Sequence, residues 1–188
     1  MCGIVVAAAD RNIVPILVEG LRKLEYRGYD SAGLAVIGGR EILRVRSVGR
    51  VAELDAASTG LAANTGIAHT RWATHGVPSE RNAHPHVSGH IAVVHNGIIE
   101  NYEVLRQELG AQGYLFTSDT DTESIAHLIE SIMRTEPDLF LAVQLACKRL
   151  IGAYAIGVID QRYPDKVIVA REGSPLLLGV TEEGNFAA

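Results

Sequence analysis

Met1-Cys2-Gly3-Ile4-Val5-Val6-Ala7-Ala8-Ala9-Asp10 opens the chain, and the reading of this stretch decides the fold. A secretory leader needs a basic start, and no basic residue precedes this apolar run. The run is also too short to span a bilayer. Ile4-Val5-Val6 is apolar and β-branched without a gap, the pattern of a buried strand. Cys2 stands directly before that strand. Methionine ahead of a residue as small as cysteine is readily removed, which leaves Cys2 with both a thiol and an α-amine. Their reference pKa values are about 8.5 and about 7.7–8.0, so the neutral amine can take the thiol proton near neutral pH. One residue then supplies a nucleophile and its base. The plainer reading is a start sequence without chemistry.

Outward from the strand the period changes. Ile13, Ile16, Leu17, Gly20, Leu21 and Leu24 recur at helical spacing. Asn12 is placed to cap this helix, and Pro15 falls in its first turn, where proline is tolerated. Glu25 to Ser31 reads as a loop. Strands are expected near 32–37 and 41–48, joined by a turn at Gly38-Gly39. A short helix near 51–57 and strands at 65–70 and 91–95 follow. Asn101 to Leu109 reads as a helix. Thr120-Asp121-Thr122-Glu123 has the form of a capping box and opens a helix through Ile125, Leu128, Ile129 and Ile132. Asp138 caps another through Leu141, Leu145 and Leu150. Strands return at 153–159, 166–171 and 176–180, with Gly173-Ser174-Pro175 between the last two. Strand and helix do not alternate strictly, which disfavours a doubly wound parallel sheet. Clustered strands and clustered helices instead predict an α+β fold, antiparallel sheets covered by helix layers, in one domain over 1–188.

Composition narrows the class. Of 188 residues 47% are hydrophobic and 21% charged, which excludes a disordered chain and argues against a coiled coil. A net charge of −5 and the lack of a basic patch argue against nucleic acid as a partner. No stretch reaches transmembrane length, so no membrane partner is expected. Two cysteines make no disulfide framework and fit a reducing, cytoplasmic compartment. Cys147 lies inside an apolar helical pattern and reads as a small buried hydrophobe.

Three polar segments interrupt the apolar pattern. His69-Thr70-Arg71-Trp72-Ala73-Thr74-His75-Gly76-Val77-Pro78 follows a strand and holds the only tryptophan. It reads as a surface loop with an anchoring aromatic, or as a lid whose Arg71 grips a carboxylate through two parallel hydrogen bonds. Asn82-Ala83-His84-Pro85-His86-Val87-Ser88-Gly89-His90 is rich in histidine. His84, His86 and His90 are candidate metal ligands, but the stretch Ala83–Gly97 has no Asp or Glu to complete a site, which favours hydrogen-bonding histidines. His95-Asn96-Gly97 reads as a turn, or as a side-chain amide beside a backbone N–H, the donor pair of an oxyanion hole.

Taken together, these segments carry a resemblance. Cys2-Gly3-Ile4-Val5 resembles the start of class II glutamine amidotransferases, N-terminal-nucleophile hydrolases built as an αββα sandwich. Glu25-Tyr26-Arg27-Gly28-Tyr29-Asp30-Ser31-Ala32-Gly33, His69 to Gly76, Asn82 to His86, and His95-Asn96-Gly97-Ile98-Ile99-Glu100-Asn101 resemble the branch of that class that makes amino sugars. The resemblance implies that Cys2 attacks the side-chain amide of L-glutamine and forms a γ-glutamyl thioester, with Asn96 and Gly97 as the oxyanion hole. It implies that Arg71 holds the α-carboxylate, Asp121 the α-ammonium, and Thr74 and His75 further parts of the substrate. Trp72 would gate the site, and Arg27 would support the nucleophile. No metal and no cofactor are implied. In the longer enzymes of the branch, the resemblance implies that C-terminal sugar-phosphate isomerase domains use the ammonia to convert fructose 6-phosphate to glucosamine 6-phosphate. That product feeds UDP-N-acetylglucosamine synthesis, in a homodimer. Two departures stand out: Val6 where glycine is expected, and Asp119 where glutamate is expected. A glutamine-binding domain without activity is the non-enzymatic alternative.

Overall fold

The computed structural model describes residues 2–72 and 76–188. The chain runs β1 (Gly3–Ala9), α1 (Val14–Leu24), β2 (Ser31–Gly38), β3 (Glu41–Val48), α2 (Val51–Ala57), β4 (Thr65–Arg71), β5 (His86–Ser88) and β6 (Ile91–Ile99). Three helices follow, α3 (Tyr102–Ala111), α4 (Thr122–Met133) and α5 (Leu139–Cys147). The chain then returns to strands with β7 (Gly152–Asp160), β8 (Val167–Glu172), β9 (Leu178–Thr181) and β10 (Gly184–Ala187). Among the described residues one sheet has the order β3-β2-β4-β1-β10-β9 and the other β5-β6-β7-β8. Every pair of neighbouring strands is antiparallel.

Side-chain alternation on the strands builds the layers. Ile4 and Val6 of β1 point between the sheets with Ala35, Ile67, Ala92, Val94 and Ala155. Val5 and Ala7 point the other way, against Leu17 and Leu21 of α1 and near Leu54 of α2. On the second sheet Val93, Ile156 and Val158 face Leu105, Ile125, Leu128, Ile129 and Val143 of the other three helices. The molecule is a helix–sheet–sheet–helix sandwich: the grouping of strands and helices predicts antiparallel sheets covered by helices, and the resemblance implies the four-layer order.

Several local expectations shift. The first hairpin turns at Gly39-Arg40, because Gly38 still pairs with Glu41, and Gly39 takes the left-handed φ of +65°. Asn12 acts as expected at the start of α1: its Oδ1 accepts from the Val14 N–H at 3.1 Å, and also from the Ala63 N–H at 3.2 Å. Asp138 caps α5 through the Leu141 N–H at 2.9 Å. Two strands lie outside the sequence expectation. β5 is three residues of a polar segment, and β10 is Gly-Asn-Phe-Ala, poor in strand formers; each forms because a neighbouring strand supplies its hydrogen bonds. Asn96-Gly97 is not a turn: both residues stay in β6, paired with Ala155 and Tyr154. Cys147 ends α5 half-buried, at the margin of the core between the three helices and the second sheet.

Val6 is almost fully buried between the sheets, at 1% exposure, and its partner explains why a large side chain fits there. A Cβ on Gly157 of β7 would lie 2.7 Å from Val6 Cγ2 and 3.1 Å from Val94 Cγ2. The methyls of Val6 occupy the space that a side chain at 157 would need. Val6→Gly should therefore open a cavity and destabilise the fold by about 2–3 kcal/mol. Gly157→Val should clash, at a cost of about 1–3 kcal/mol. The double exchange should recover most of the loss, which urea denaturation of the four proteins would read as a coupling of at least about 1 kcal/mol. Additive losses would show that the two positions do not share one space.

Candidate active site

Strand register brings the first residues of the site together. Gly3 pairs with Thr70, so Cys2 lies beside the end of β4. The Trp72 N–H donates to Cys2 Sγ at 3.4 Å, and the thiol faces the Trp72 carbonyl at 3.7 Å. Burial pushes the Cys2 thiol up, and the Trp72 N–H only partly offsets this. At neutral pH the sulfur is therefore a thiol, and nucleophilic chemistry there needs a base. Met1, Thr74 and His75 lie outside the described residues.

Arg71 ends β4 as a buried cation, 3% exposed. Its Nη2 donates to the Gly76 carbonyl at 2.9 Å. Its Nη1 lies 3.7 Å from Asp30 Oδ1, because Ser31 pairs with Arg71 and sets Asp30 next to it. Trp72 is half exposed, and Tyr29 meets its ring edge-on with centroids 5.8 Å apart.

Asp121 comes from the other layer, at the start of α4. Its Oδ2 accepts from the Ile99 N–H at 2.9 Å, and it makes no cap bond to its own helix. The capping-box expectation fails here for a physical reason. Glu123, the presumed back-bonding residue, is drawn further upstream: its carboxylate accepts from the N–H and hydroxyl groups of Thr117 and Ser118 at 2.7–2.9 Å. Burial raises its pKa, but these hydrogen bonds outweigh burial and hold it below the usual carboxylate value.

One cleft is lined by Cys2, Arg71, Trp72, Gly97, Asp121 and four residues that were not expected, His84, His95, Thr120 and Thr122. Gly97 there has φ +143°, and a Cβ would sit 2.0 Å from the Ala153 carbonyl, so only glycine fits. Cys2 also borders a largely apolar cavity of about 230 Å³ with Leu24, Arg27, Asn96, Ala155, Leu176 and Leu177. The thiol thus stands between a polar, charged cleft and an apolar cavity. A larger cavity of about 650 Å³ lies at the opposite end of β1, lined by Asp10, Gly39 and Glu182 among others, away from the thiol.

The histidines cluster between the layers, His69 stacked on His84 and His86 edge-on to it, each hydrogen-bonded to a partner of its own or to a shared threonine. His69 Nε2 donates to the His95 carbonyl at 2.8 Å, from one sheet to the other. His84 and His86 reach Thr122 and Thr120 at 2.7 and 2.9 Å, and His90 lies 2.6 Å from Gln161 Nε2. Among the described residues no three His, Cys, Asp or Glu side chains form a metal-binding group. Nor is any helix there long and apolar enough to cross a membrane. Asp119, where glutamate is expected, accepts from Arg81 at 2.6 Å and from Asn82 at 3.2 Å.

A helix–sheet–sheet–helix sandwich whose inner strand starts at a cysteine, beside two buried groups of opposite charge, defines the N-terminal-nucleophile amidotransferase class. A family profile described as a glutamine amidotransferase domain matches residues 69–188, and the chain belongs to that family. Its relatives narrow this further. The chain is 57% identical over 188 residues to the glutamine–fructose-6-phosphate aminotransferase [isomerizing] of Acinetobacter baylyi, covering 99% of this chain and 31% of that protein. It is 60% identical over 191 residues to the protein of the same description in Shewanella oneidensis, covering 100% and 31%. The chain therefore spans 31% of the length of these relatives. In structure it matches the glutamine phosphoribosylpyrophosphate amidotransferase of B. subtilis, complexed with ADP and GMP, at a TM-score of 0.85 and 25% identity. That match covers 100% of this chain and 41% of the other.

The buried imidazoles make a pH prediction. Burial pushes His69 down to about 3; burial first, then the neighbouring imidazoles for His84 and the Arg46 and Arg44 guanidinium groups for His86, pushes both well below the ordinary value. Below about pH 6.5 the unfolded chain takes up protons that the folded chain refuses, so stability falls as pH falls. Between pH 6.5 and 5, above the main carboxylate range, unfolding should bind protons. His69→Gln keeps the donor to the His95 carbonyl and removes the titration. It should flatten the slope of unfolding free energy against pH by about 1 kcal/mol per unit at the low end of that interval. An unchanged slope would show that His69 already titrates normally in the folded protein.

Proposed function

We propose that residues 1–188 form a single glutaminase domain that hydrolyses L-glutamine to glutamate and ammonia through Cys2. One observation carries this reading: a buried guanidinium, Arg71, and a buried carboxylate, Asp121, line the same cleft as the Cys2 thiol. Opposite charges at fixed separation suit the two ends of a zwitterionic amino acid, and each charge-assisted bond contributes roughly 1.5–3 kcal/mol.

In this reading removal of Met1 frees the α-amine of Cys2, which takes the proton from the thiol. The sulfur adds to the side-chain amide carbon of glutamine, and the carbonyl oxygen takes the negative charge. Asn96 and the Gly97 N–H stabilise that oxyanion, an effect worth about 10²–10³ in rate per donor. The protonated amine gives its proton to the leaving nitrogen, and ammonia departs. Water, deprotonated by the same amine, then cleaves the γ-glutamyl thioester, releasing glutamate and restoring the thiol. Arg71 binds the α-carboxylate and Asp121 the α-ammonium, with Thr74 and His75 completing the substrate contacts. Trp72 covers the thioester, and Arg27 supports the nucleophile from the apolar side. No step calls on a metal or an organic cofactor.

The relatives' description extends the reading. In a full-length enzyme, C-terminal sugar-phosphate isomerase domains receive the ammonia and convert fructose 6-phosphate to glucosamine 6-phosphate, in a cytoplasmic homodimer.

Cys2→Ala should reduce glutamate release to below about one per cent of the parent while calorimetry still detects glutamine binding. Incubation with 6-diazo-5-oxo-L-norleucine should alkylate Cys2 with loss of N2, adding the mass of one inhibitor less dinitrogen by intact mass, and only in molecules that have lost Met1. Turnover by a preparation that retains Met1 would refute the α-amine base. Full activity after thiol alkylation, lost on adding EDTA, would replace this reading with metal-dependent hydrolysis.

A further inference from the structure

Asp121 occupies the residue before α4, where an aspartate ordinarily bonds its own helix, yet its side chain makes no such bond. The residues on either side of it are tied to the adjacent sheet and the segment that leads into it, the sheet whose Ile99 N–H also holds Asp121 Oδ2. Thr120 and Thr122 are both buried. Thr122 Oγ1 lies 2.7 Å from His84 Nε2 and 2.9 Å from His95 Nδ1. Thr120 Oγ1 lies 2.9 Å from His86 Nε2 and 3.0 Å from Ser118 Oγ, which in turn lies 2.7 Å from Glu123 Oε2.

Counting donors orders the second chain. The ionised Glu123 only accepts, so the Ser118 hydroxyl donates to it. Ser118 Oγ then accepts from Thr120, and Thr120 Oγ1, its own proton spent, accepts from His86. His86 is thereby the neutral tautomer with hydrogen on Nε2. On the other side one Thr122 hydroxyl serves two imidazoles; it has a single proton to give, so at least one of the two rings donates to it. Both threonine rotamers are set from the histidine layer, and the peptide that carries Asp121 is held at both ends.

We propose that Thr120 and Thr122, clamped by His86 and by His84 and His95, are positioning residues that aim the Asp121 carboxylate at the α-ammonium of the amino acid substrate. This rests on the glutamine reading above, and it assigns the histidine-rich segment a part in substrate selection.

The probe is 5-amino-5-oxopentanoic acid, which is glutamine without its α-amine. In a Cys2→Ala background, Thr120→Val or Thr122→Val should weaken glutamine binding by about tenfold, the size of one charged hydrogen bond misplaced. Binding of the deaminated analogue should not change. With Cys2 intact, KM for glutamine should rise by about the same factor while kcat stays within about threefold. Thr120→Ser and Thr122→Ser, which keep the hydroxyl, should restore both values. Parallel weakening of both ligands, or no change in either, overturns the proposal, because a merely structural clamp does not distinguish them. A Cys2→Ala parent that binds neither ligand overturns the glutamine reading itself.

Discussion

The pairing of β1 with β4 is the constraint on which the rest of the structure depends. Gly3 opposite Thr70, continuing to Ala8 opposite Thr65, fixes the start of the chain inside a six-stranded sheet. Slipping that register by one residue would turn Ile4 and Val6 out of the layer between the sheets and Val5 into it. It would also move Cys2 off the Trp72 N–H. The neighbouring register, Ser31 opposite Arg71, brings Asp30 to the same strand end. The thiol, the guanidinium and its carboxylate neighbour are therefore placed by backbone ladders before any side-chain packing is considered.

The layer between the sheets changes character along its length. Ile4, Val6, Ile67, Ala92 and Val94 fill it with hydrocarbon. Near the thiol His69, His84 and His95 take over, with the His69 and His84 rings stacked at 4.1 Å between centroids. Burying polar rings is costly unless they are hydrogen-bonded. The bonds from His69 to the His95 carbonyl and from His84 to Thr122 satisfy one nitrogen of each ring, the Nδ1 atoms being buried without a partner among the described residues, and burial keeps His69 and His84 neutral. The polar end is thereby directional, with each ring's place set by its partner, where the hydrocarbon part needs only the right volume.

The sequence made legible what depends on local period and local chemistry. Ile4-Val5-Val6 reads as a strand because its apolar run is continuous, and α1 reads as a helix because Leu17 and Leu21 repeat at its pitch. β10 was not legible, since Gly184 and Asn185 carry no strand preference and pair only because β1 and β9 flank them. Asn96-Gly97 looks like a turn because both residues favour turns. Nothing in the sequence nearby announces that the Ala153 and Tyr154 backbone crosses them. At the site, Cys2 and Arg71 are legible from their chemistry and from the resemblance, and Asp121 from the resemblance alone, against its reading as part of a capping box. Thr120, Thr122, His84 and His95 line the same cleft through hydrogen bonds between layers, which have no spacing in sequence to betray them. The histidine-rich segment and His95 stand out in the sequence, but nothing there links them to the two threonines either side of Asp121.

Val6 and Gly157 are far apart in the chain and share one space between the sheets. Each alone looks like an oddity, a bulky residue at a tight place and a bare one in a strand. Moving from this arrangement to the reversed one by single substitutions passes through either a void or a collision. A first strand that carries a residue of another size at position 6 must therefore bring a matched residue on β7 as well. The boundary of an exchangeable segment in this fold is set by contact across the sandwich, and a crossover point chosen along the chain alone will separate partners.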